Sequence, residues 1–316
     1  MLFSRIPIKY IDFTDNTFSL KPDNYSQDPP ENLKGSIQRA GILHPPIVKE
    51  HTPSSFQIIT GRNRLLSAIK NGQTSCNCYK THPDISDDEA LDISLEDTIL
   101  SHPLSDIEEA QYLRKAIRSL SIEEAAVRYS LITGGRISSF QTRQKLKLLA
   151  LEDPIQTAVH EKLLEGKVAL EMCKMAFVDR MTLFEIITVL QLSVSNQKKL
   201  TVSCLELAGR MQTSLRDILS GEDVKQILTH HESNLPQKAS QIMGLIYRKR
   251  FPRLTEEENT FHKFISGLQL PDNISLTHSP SFEKDTVHMD ITFSNREECM
   301  RVWQNIANHC KSTSEE

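Results

Sequence analysis

The spacing of apolar residues changes twice along this chain, and these changes limit the folds open to it. Over residues 1–104, apolar runs of strand length alternate with helix-like runs, which predicts a small mixed α/β domain. Residues 105–247 have a helical period, which predicts an all-α domain. Residues 255–310 predict a helix, a β-hairpin and a second helix, and the basic segment 248–254 is predicted to be a linker. The fold class is therefore predicted to be α+β multidomain.

Composition argues against membrane and disulfide-rich classes of protein. Hydrophobic residues make up 38% and charged residues 25% of the 316 positions, as in ordinary globular proteins. No apolar run reaches the roughly 18 residues of a membrane helix, so we expect no membrane partner. The start, "MLFSRIPIKYIDF", has no apolar region of signal-peptide length. Six scattered cysteines favour reduced thiols, and the chain is expected to be cytoplasmic.

Charge is distributed unevenly along the chain. The net charge is -4, yet residues 101–253 carry 22 basic and 17 acidic side chains. This segment is the part of the chain expected to meet a polyanion. Between Glu124 and Glu152 no carboxylate occurs, although five cationic residues lie there. A polyanion-binding surface and a solvated helix face both explain this gap.

The segment 121–151, "SIEEAAVRYSLITGGRISSFQTRQKLKLLAL", has the pattern of a helix-turn-helix. A capped helix over about 122–129 is followed by Gly134-Gly135 and by a second helix that begins near Ser138. In such motifs the second helix places polar residues against base edges and basic residues against phosphates. The DNA-binding candidates are Ser138, Ser139, Gln141, Arg143, Lys145 and Lys147. The alternative is a helix hairpin with a solvated basic face.

Several segments resemble, in order, those of ParB-like chromosome and plasmid partition proteins. The resemblance extends over about residues 6–310. "LKGSIQRAGILHPPIVK" is similar to the family segment L-x-x-S-I-x-x-x-G-x-x-x-P-I-x-V, and "IITGRNRLLSA" to its G-E-R-R-x-R-A box. "LEDTILSHPLSDIEEAQYL" resembles the family segment E-N-x-x-R-x-x-L-x-P-x-E-E-A. The helix-turn-helix, "LEGKVALEMCKMAF" and the terminal helix–hairpin–helix follow in family order.

This resemblance implies a function and a set of ligands. It implies a ParB/sulfiredoxin-like N-terminal domain that binds CTP with Mg²⁺ and closes as a clamp. It also implies a homodimer, joined by its C-terminal unit, that binds a palindromic centromere- or operator-like site in double-stranded DNA. The implied partner is a ParA-type ATPase, and the implied location is the nucleoid or a plasmid. By resemblance the nucleotide-binding residues are Gly61, Arg62, Asn63, Arg64, Asp97 and Thr98, with Asp97 as the candidate Mg²⁺ ligand.

Departures from the family pattern concentrate in the nucleotide motifs. The acidic position of the box is Arg62, its first arginine is Asn63 and its last is Leu66. In the E-N-x-x-R segment, the Glu-Asn pair becomes Asp97-Thr98 and the arginine becomes Ser101. "NTFSLKPDN" stands where the family has N-P-x-Q-P-R, so the family's Q-P-R becomes residues 19–21. Because the box lacks a carboxylate to activate water, we expect weak or absent CTP hydrolysis and assign no catalytic residue. CTP binding stays open.

Two other functions remain alternatives. A sulfiredoxin-like or serine-kinase-like NTP-dependent enzyme would need a cysteine or a carboxylate where Arg62 stands. A plasmid- or phage-type transcriptional regulator of the same fold would need no residue that is missing. Cys76 and Cys78 provide one C-x-C pair without the second pair of a structural zinc site, so no zinc is expected.

Overall fold

The computed structural model of the protein describes residues 1–25, 28–52 and 54–312. Contacts divide the chain into two compact units, Met1–Ser240 and Gln241–Glu316. The expected boundary between residues 104 and 105 lies inside the first unit, and the three-domain division stays a prediction. Within the described ranges, no helix combines the length and apolar character that a membrane span requires.

The first unit contains a mixed five-stranded sheet. Its strands are Leu2–Pro7 (β1), Ile11–Asp12 (β2), Ile47–Thr52 (β3), Ser55–Thr60 (β4) and Ser75–Lys80 (β5). The order is β1-β5-β3-β4-β2, in which β1–β5 and β3–β4 pair antiparallel and the other two pairs are parallel. The sheet confirms the predicted mixed α/β character of this region.

Helices account for most of the remaining first unit. They are Glu31–Ala40 (α1), Arg62–Lys70 (α2), Asp87–Ser101 (α3), Asp106–Ala116 (α4), Ile122–Thr133 (α5), Ser139–Lys147 (α6), Asp153–His160 (α7), Gly166–Met172 (α8), Phe177–Val189 (α9), Val194–Met211 (α10), Leu215–Leu219 (α11) and Glu222–Thr229 (α12). The division between the units falls inside the next helix, Leu235–Arg250 (α13).

Local capping explains where several of these helices begin. The spacing of Ser105 to Glu108 and of Ser121 to Glu124 predicts a capping box at each place, and the structure contains both. Helix α5 runs one turn beyond the predicted 122–129, because the residue that ends it is Gly134 in the left-handed conformation, with φ 70°.

The sheet is packed between two helical layers. Because neighbouring strand residues point to opposite faces, Ile58 and Ile59 belong to different apolar clusters. Ile58 packs in the cluster that includes Leu65 of α2, where Cys76 and Cys78 are also core side chains. Ile59 packs in the cluster formed with residues of α3, α4 and α5. That second cluster contains residues from both sides of position 104, so the sheet and the first helices of the helical region share one core.

The second unit has the predicted order of helix, hairpin and helix. After α13 come Pro252–Leu268 (α14), Ile274–His278 (β6), Val287–Ile291 (β7) and Arg296–Ser312 (α15). The two strands pair antiparallel, with Ile274 opposite Ile291. The expected linker 248–254 is largely helical in the structure: α13 continues to Arg250, and Pro252 suits the first turn of α14, where a missing N–H costs no hydrogen bond.

Lys115 of α4 ties the helical layer to the loop that follows β2. Its ammonium donates hydrogen bonds to the carbonyl oxygens of Asn16 and Ser19, and the residue is only 6% exposed. Burial lowers the pKa of Lys115 to about 8. The two carbonyl acceptors compensate for part of the cost of burying this cation.

We predict that Lys115→Met destabilises the protein, since both carbonyl groups lose their donor inside the core. The free energy of unfolding in urea should fall by about 2 kcal/mol. The control is Arg118→Met in the exposed turn after α4, which should have little effect. Equal unfolding free energies for the two variants would contradict the role assigned to Lys115.

Candidate nucleotide cleft and candidate nucleic-acid interface

Gly61 forms the corner between β4 and α2. Its backbone is left-handed, with φ 86° and ψ 20°. A Cβ atom at this position would lie 2.9 Å from Cβ of Pro46 and 3.0 Å from Nε of Arg64. Both the backbone conformation and the close approach of Pro46 therefore require glycine here.

This corner opens onto a cleft of about 740 Å³, which we call the central cleft. The six residues expected to bind nucleotide all line it. It is also lined by 19–21, the stretch at the family's "Q-P-R" position. The complete lining is Ser19, Leu20, Lys21, Leu33, His44, Ile58, Ile59, Thr60, Gly61, Arg62, Asn63, Arg64, Ser94, Asp97, Thr98, Leu100, Ser101, His102 and Glu108.

Arg62, at the altered position of the box, is engaged with the loop after β2. Its guanidinium donates to the carbonyl oxygens of Phe13 and Asp15, and to Oδ1 of Asn16 at 3.0 Å. Burial lowers the pKa of Arg62, against the opposing effect of the Asp15 and Asp12 carboxylates. The side chain that replaces the family's acid therefore helps to build the wall of the cleft.

Arg64 connects α2 to α3 across the central cleft. One of its terminal nitrogens donates to the carbonyl oxygen of His44, and the other lies 3.4 Å from Oδ2 of Asp97. The Asp97 side chain is 39% exposed and lines the cleft. Thr98 donates its hydroxyl proton to the carbonyl oxygen of Ser94 and leaves its lone pairs for a further partner.

Lys21 and Glu108 are two further charged residues that line the cleft, and Glu108 is buried. Burial lowers the pKa of Lys21, and the Glu108 carboxylate opposes this effect. Glu108 is 2% exposed, and its Oε2 accepts a hydrogen bond from the Ser105 backbone N–H at 2.8 Å. Its Oε1 lies 2.9 Å from Nε2 of His102. Sequence reasoning identified Glu108 only as a helix cap. Its place in the cleft follows from the packing of α4 against the loop around Lys21.

Thr60 is a cleft residue that sequence reasoning missed. It is the last residue of β4, directly before Gly61, and it is 7% exposed. Within the described part of the chain, its hydroxyl has no hydrogen-bond partner. A buried polar group without a partner is uncommon, and here it lines a cleft of ligand size. Its position next to the box glycine was the signal that could have revealed it.

The two helices expected within residues 121–151 are α5 and α6, and their role as a DNA-binding helix-turn-helix stays a prediction. Residues three, four and seven apart share one side of a helix, which places Phe140, Arg143, Gln144 and Lys147 on one side of α6. Three of them are exposed and Gln144 is half-buried. We call these four residues the recognition face. Thr142, on the opposite side, is fully buried.

Three of the remaining DNA-binding candidates, Ser138, Gln141 and Lys145, have partners within the protein. Ser138 and Gln141 form a capping box: Ser138 Oγ accepts from the Gln141 N–H, and Gln141 Oε1 accepts from the Ser138 N–H. Ser139 is half-buried at the first position of α6. Lys145 is directed away from the recognition face, with its ammonium 2.8 Å from Asp106 and 2.6 Å from Glu109.

We predict that Gly61→Ala destabilises the protein more than Gly72→Ala. Both glycines have positive φ, 86° and 76°, but a Cβ at Gly72 would have no atom within 4 Å. The left-handed conformation alone should cost about 1 kcal/mol at Gly72, and the added clash with Pro46 should raise the cost to about 3 kcal/mol at Gly61. Urea unfolding measures both, and equal losses of stability would contradict the close packing of Gly61.

Curated relatives match part of the chain. A probable chromosome-partitioning protein ParB of Neisseria meningitidis is 29% identical over 154 residues, which are 48% of this chain and 51% of the relative. A probable ParB of Chlamydia pneumoniae is 28% identical over 154 residues, with the same two coverages. A nucleoid occlusion protein of Bacillus mycoides is 26% identical over 132 residues, 42% of this chain and 43% of the relative. The chain thus spans about half the length of the curated relatives it matches.

Solved structures give a weaker similarity. A C-terminally truncated ParB of Caulobacter crescentus complexed with CTP-γ-S is 20% identical, with a TM-score of 0.28, and covers 59% of this chain and 99% of that one. The same protein complexed to the centromeric parS site is 21% identical, with a TM-score of 0.35, and covers 63% and 98%. No protein-family model matches the chain. On the sequence matches, the resemblance to ParB-like partition proteins is confirmed over about half of the chain.

Proposed function

We propose that the protein is a ParB-like, sequence-specific DNA-binding protein that acts in chromosome or plasmid partition and binds a nucleotide in the central cleft. The recognition face of α6 is the observation that supports this proposal most directly. This face presents the cations Arg143 and Lys147 and the amide of Gln144. A capping box fixes the start of α6, and the contact of Lys145 with Asp106 fixes its opposite side. A fixed helix with one exposed basic side can enter a major groove without reorganisation.

The electrostatics of α6 support binding to DNA. Arg143 lies 3.3 Å from Glu123, but both side chains are more than half exposed, at 55% and 62%. An exposed pair of this kind contributes about 0–1 kcal/mol, so Arg143 can exchange Glu123 for a guanine edge or a phosphate at little cost. Lys147 is exposed at the last position of α6 and suits a phosphate contact.

The start of α2 supports a phosphate-binding role for the central cleft. Helix α2 has no side-chain cap and no acidic residue in its first turn, so its first N–H groups and its dipole favour an anion. Arg64 adds a cation beside them, and the Thr60 hydroxyl lacks a partner within the described residues. We propose that the phosphates of CTP bind at this corner.

Magnesium fits this cleft as a companion of the nucleotide. Mg²⁺ in nucleotide sites is commonly held by one or two carboxylates together with substrate phosphates. Asp97 offers one carboxylate, and the Thr98 hydroxyl lies next to it. A bound Mg²⁺ would neutralise phosphate charge. Arg62 supplies no base at the altered box position, and Glu108 is already occupied by Ser105 and His102. We therefore propose that nucleotide is bound with little or no hydrolysis.

Homodimerisation through residues 255–310 is part of the same proposal. The second unit exposes large apolar side chains that a second copy would cover: Val287 at 51%, Met289 at 57%, Met300 at 60% and Trp303 at 61%. A palindromic DNA site requires two recognition faces, which a homodimer supplies. On the resemblance to ParB-like proteins, we also propose that the protein has a ParA-type ATPase as its partner and is located at the nucleoid or on a plasmid.

We predict distinct effects for three substitutions in α6. Genomic fragments bound by the full-length protein are first selected and sequenced to define its site. Arg143→Ala should then weaken binding to that site at least about tenfold and broaden the base preference. Lys147→Ala should weaken binding to the site and to a scrambled duplex equally. The slope of log affinity against log salt concentration should become shallower by about 0.9 for each phosphate that the variant no longer neutralises.

Lys145→Met is the matched control. Because its ammonium faces Asp106 and Glu109, this substitution should lower the thermal unfolding midpoint and leave the base preference of the folded protein unchanged. Unchanged specificity in Arg143→Ala, or altered specificity in Lys145→Met, would contradict the proposed orientation of α6.

We predict that Thr60→Val weakens nucleotide binding and stabilises the free protein. Removal of an unpaired buried hydroxyl should raise the free energy of unfolding by about 1 kcal/mol, and removal of a hydrogen bond to the ligand should weaken CTP–Mg²⁺ binding about fivefold. Thr81→Val is the matched control, since Thr81 is also buried with an unpaired hydroxyl but lies outside the central cleft. Calorimetry measures the affinities, and equal affinities for the two variants would remove Thr60 from the proposed site.

A further inference from the structure

Phe140 is an apolar side chain on the polar surface of the recognition helix. It is the second residue of α6 and is 67% exposed. Single exposed apolar residues are common on protein surfaces and need no special explanation. The position of this one is what gives it meaning, because the N-terminal residues of a recognition helix are those that reach the base edges.

Two cationic side chains lie on the same side of α6 as Phe140. Arg143 and Lys147 lie on the same side of α6, about one and two turns further along the helix. Between Glu124 and Glu152 the sequence has no carboxylate, and the exposed Glu123 of α5 lies 3.3 Å from Arg143. These cations favour a polyanion, and in that setting the ring of Phe140 would meet the groove floor beside Arg143 while Lys147 meets a phosphate.

The polar residues beside Phe140 are restricted in what they can read. Gln141 Oε1 accepts from the Ser138 N–H at 2.9 Å and from Ser138 Oγ at 3.1 Å. Bidentate recognition of adenine needs both the oxygen and the nitrogen of a glutamine amide. Gln141 would have to give up its capping box to read adenine in this way. Base discrimination at the start of α6 must then come from another exposed side chain.

We propose that Phe140 contacts the 5-methyl group of a thymine in each half-site of the bound DNA. The thymine methyl is the apolar group that base pairs present in the major groove, and apolar side chains including phenylalanine recognise it. This inference rests on the proposed DNA-binding function and adds a base identity to it. Phe140 discriminates thymine from cytosine and from uracil at one position per half-site.

A double-mutant cycle tests this interaction with the full-length protein. The selected DNA site is prepared with each thymine replaced in turn by deoxyuridine, which removes only the methyl group. For the unaltered protein, affinity should fall about fourfold for each contacted methyl at one thymine position per half-site, the value expected for one buried carbon. For Phe140→Ala, the thymine and uracil duplexes should bind equally at that position.

Phe177→Ala is the matched control, because Phe177 is 57% exposed and also lies at the start of a helix, α9. It should keep the full thymine preference. If a site is selected but Phe140→Ala retains the same thymine-to-uracil ratio, the proposed role of Phe140 is refuted and DNA binding by α6 stands. If no sequence is selected at all, the proposed function fails and the role of Phe140 fails with it.

Discussion

The buried ammonium of Lys115 is the interaction on which the central cleft depends. By holding the carbonyl groups of Asn16 and Ser19, it fixes the loop after β2 against α4. That loop provides the carbonyl acceptors of Arg62 and places 19–21 on the cleft wall. The cleft is therefore built jointly by the sheet and by the first helix of the helical region. A change in α4 is transmitted to the cleft through a rigid polar anchor and a shared apolar core.

Helix capping has two consequences in this protein, one structural and one functional. At Ser105 the box orients Glu108, which borders the cleft, and at Ser138 it engages Gln141 at the start of α6. In both places a residue that fixes a helix end is unavailable for other chemistry. In the proposed sites, ligand contacts would come from neighbours outside the box, such as Lys21 in the cleft and Phe140 on α6.

The sequence predicted well what depends on local pattern. The order of elements and the capping boxes follow from spacing along the chain, and the expectation that Gly61 and Asp97 belong to one site came from the resemblance to a family. The partners of side chains could not be predicted, because they are set by residues far away in sequence. Arg62 binds a loop about 47 positions earlier, and Lys145 pairs with Asp106, 39 positions earlier. Ile58 and Ile59 show a further limit: alternation predicts two faces but not which helices cover them.

The packing of Gly61 affects how its substitutions can be interpreted. A glycine at a strand–helix corner is commonly taken as a sign that a ligand approaches the backbone. Here the neighbouring Pro46 already excludes a larger residue, so weaker ligand binding by a Gly61 variant would report a distorted corner as readily as a missing ligand interaction. Arg64 has the same limitation, since it braces α2 against α3. Thr60 makes no such internal bond within the described structure, and substitution there separates binding from folding.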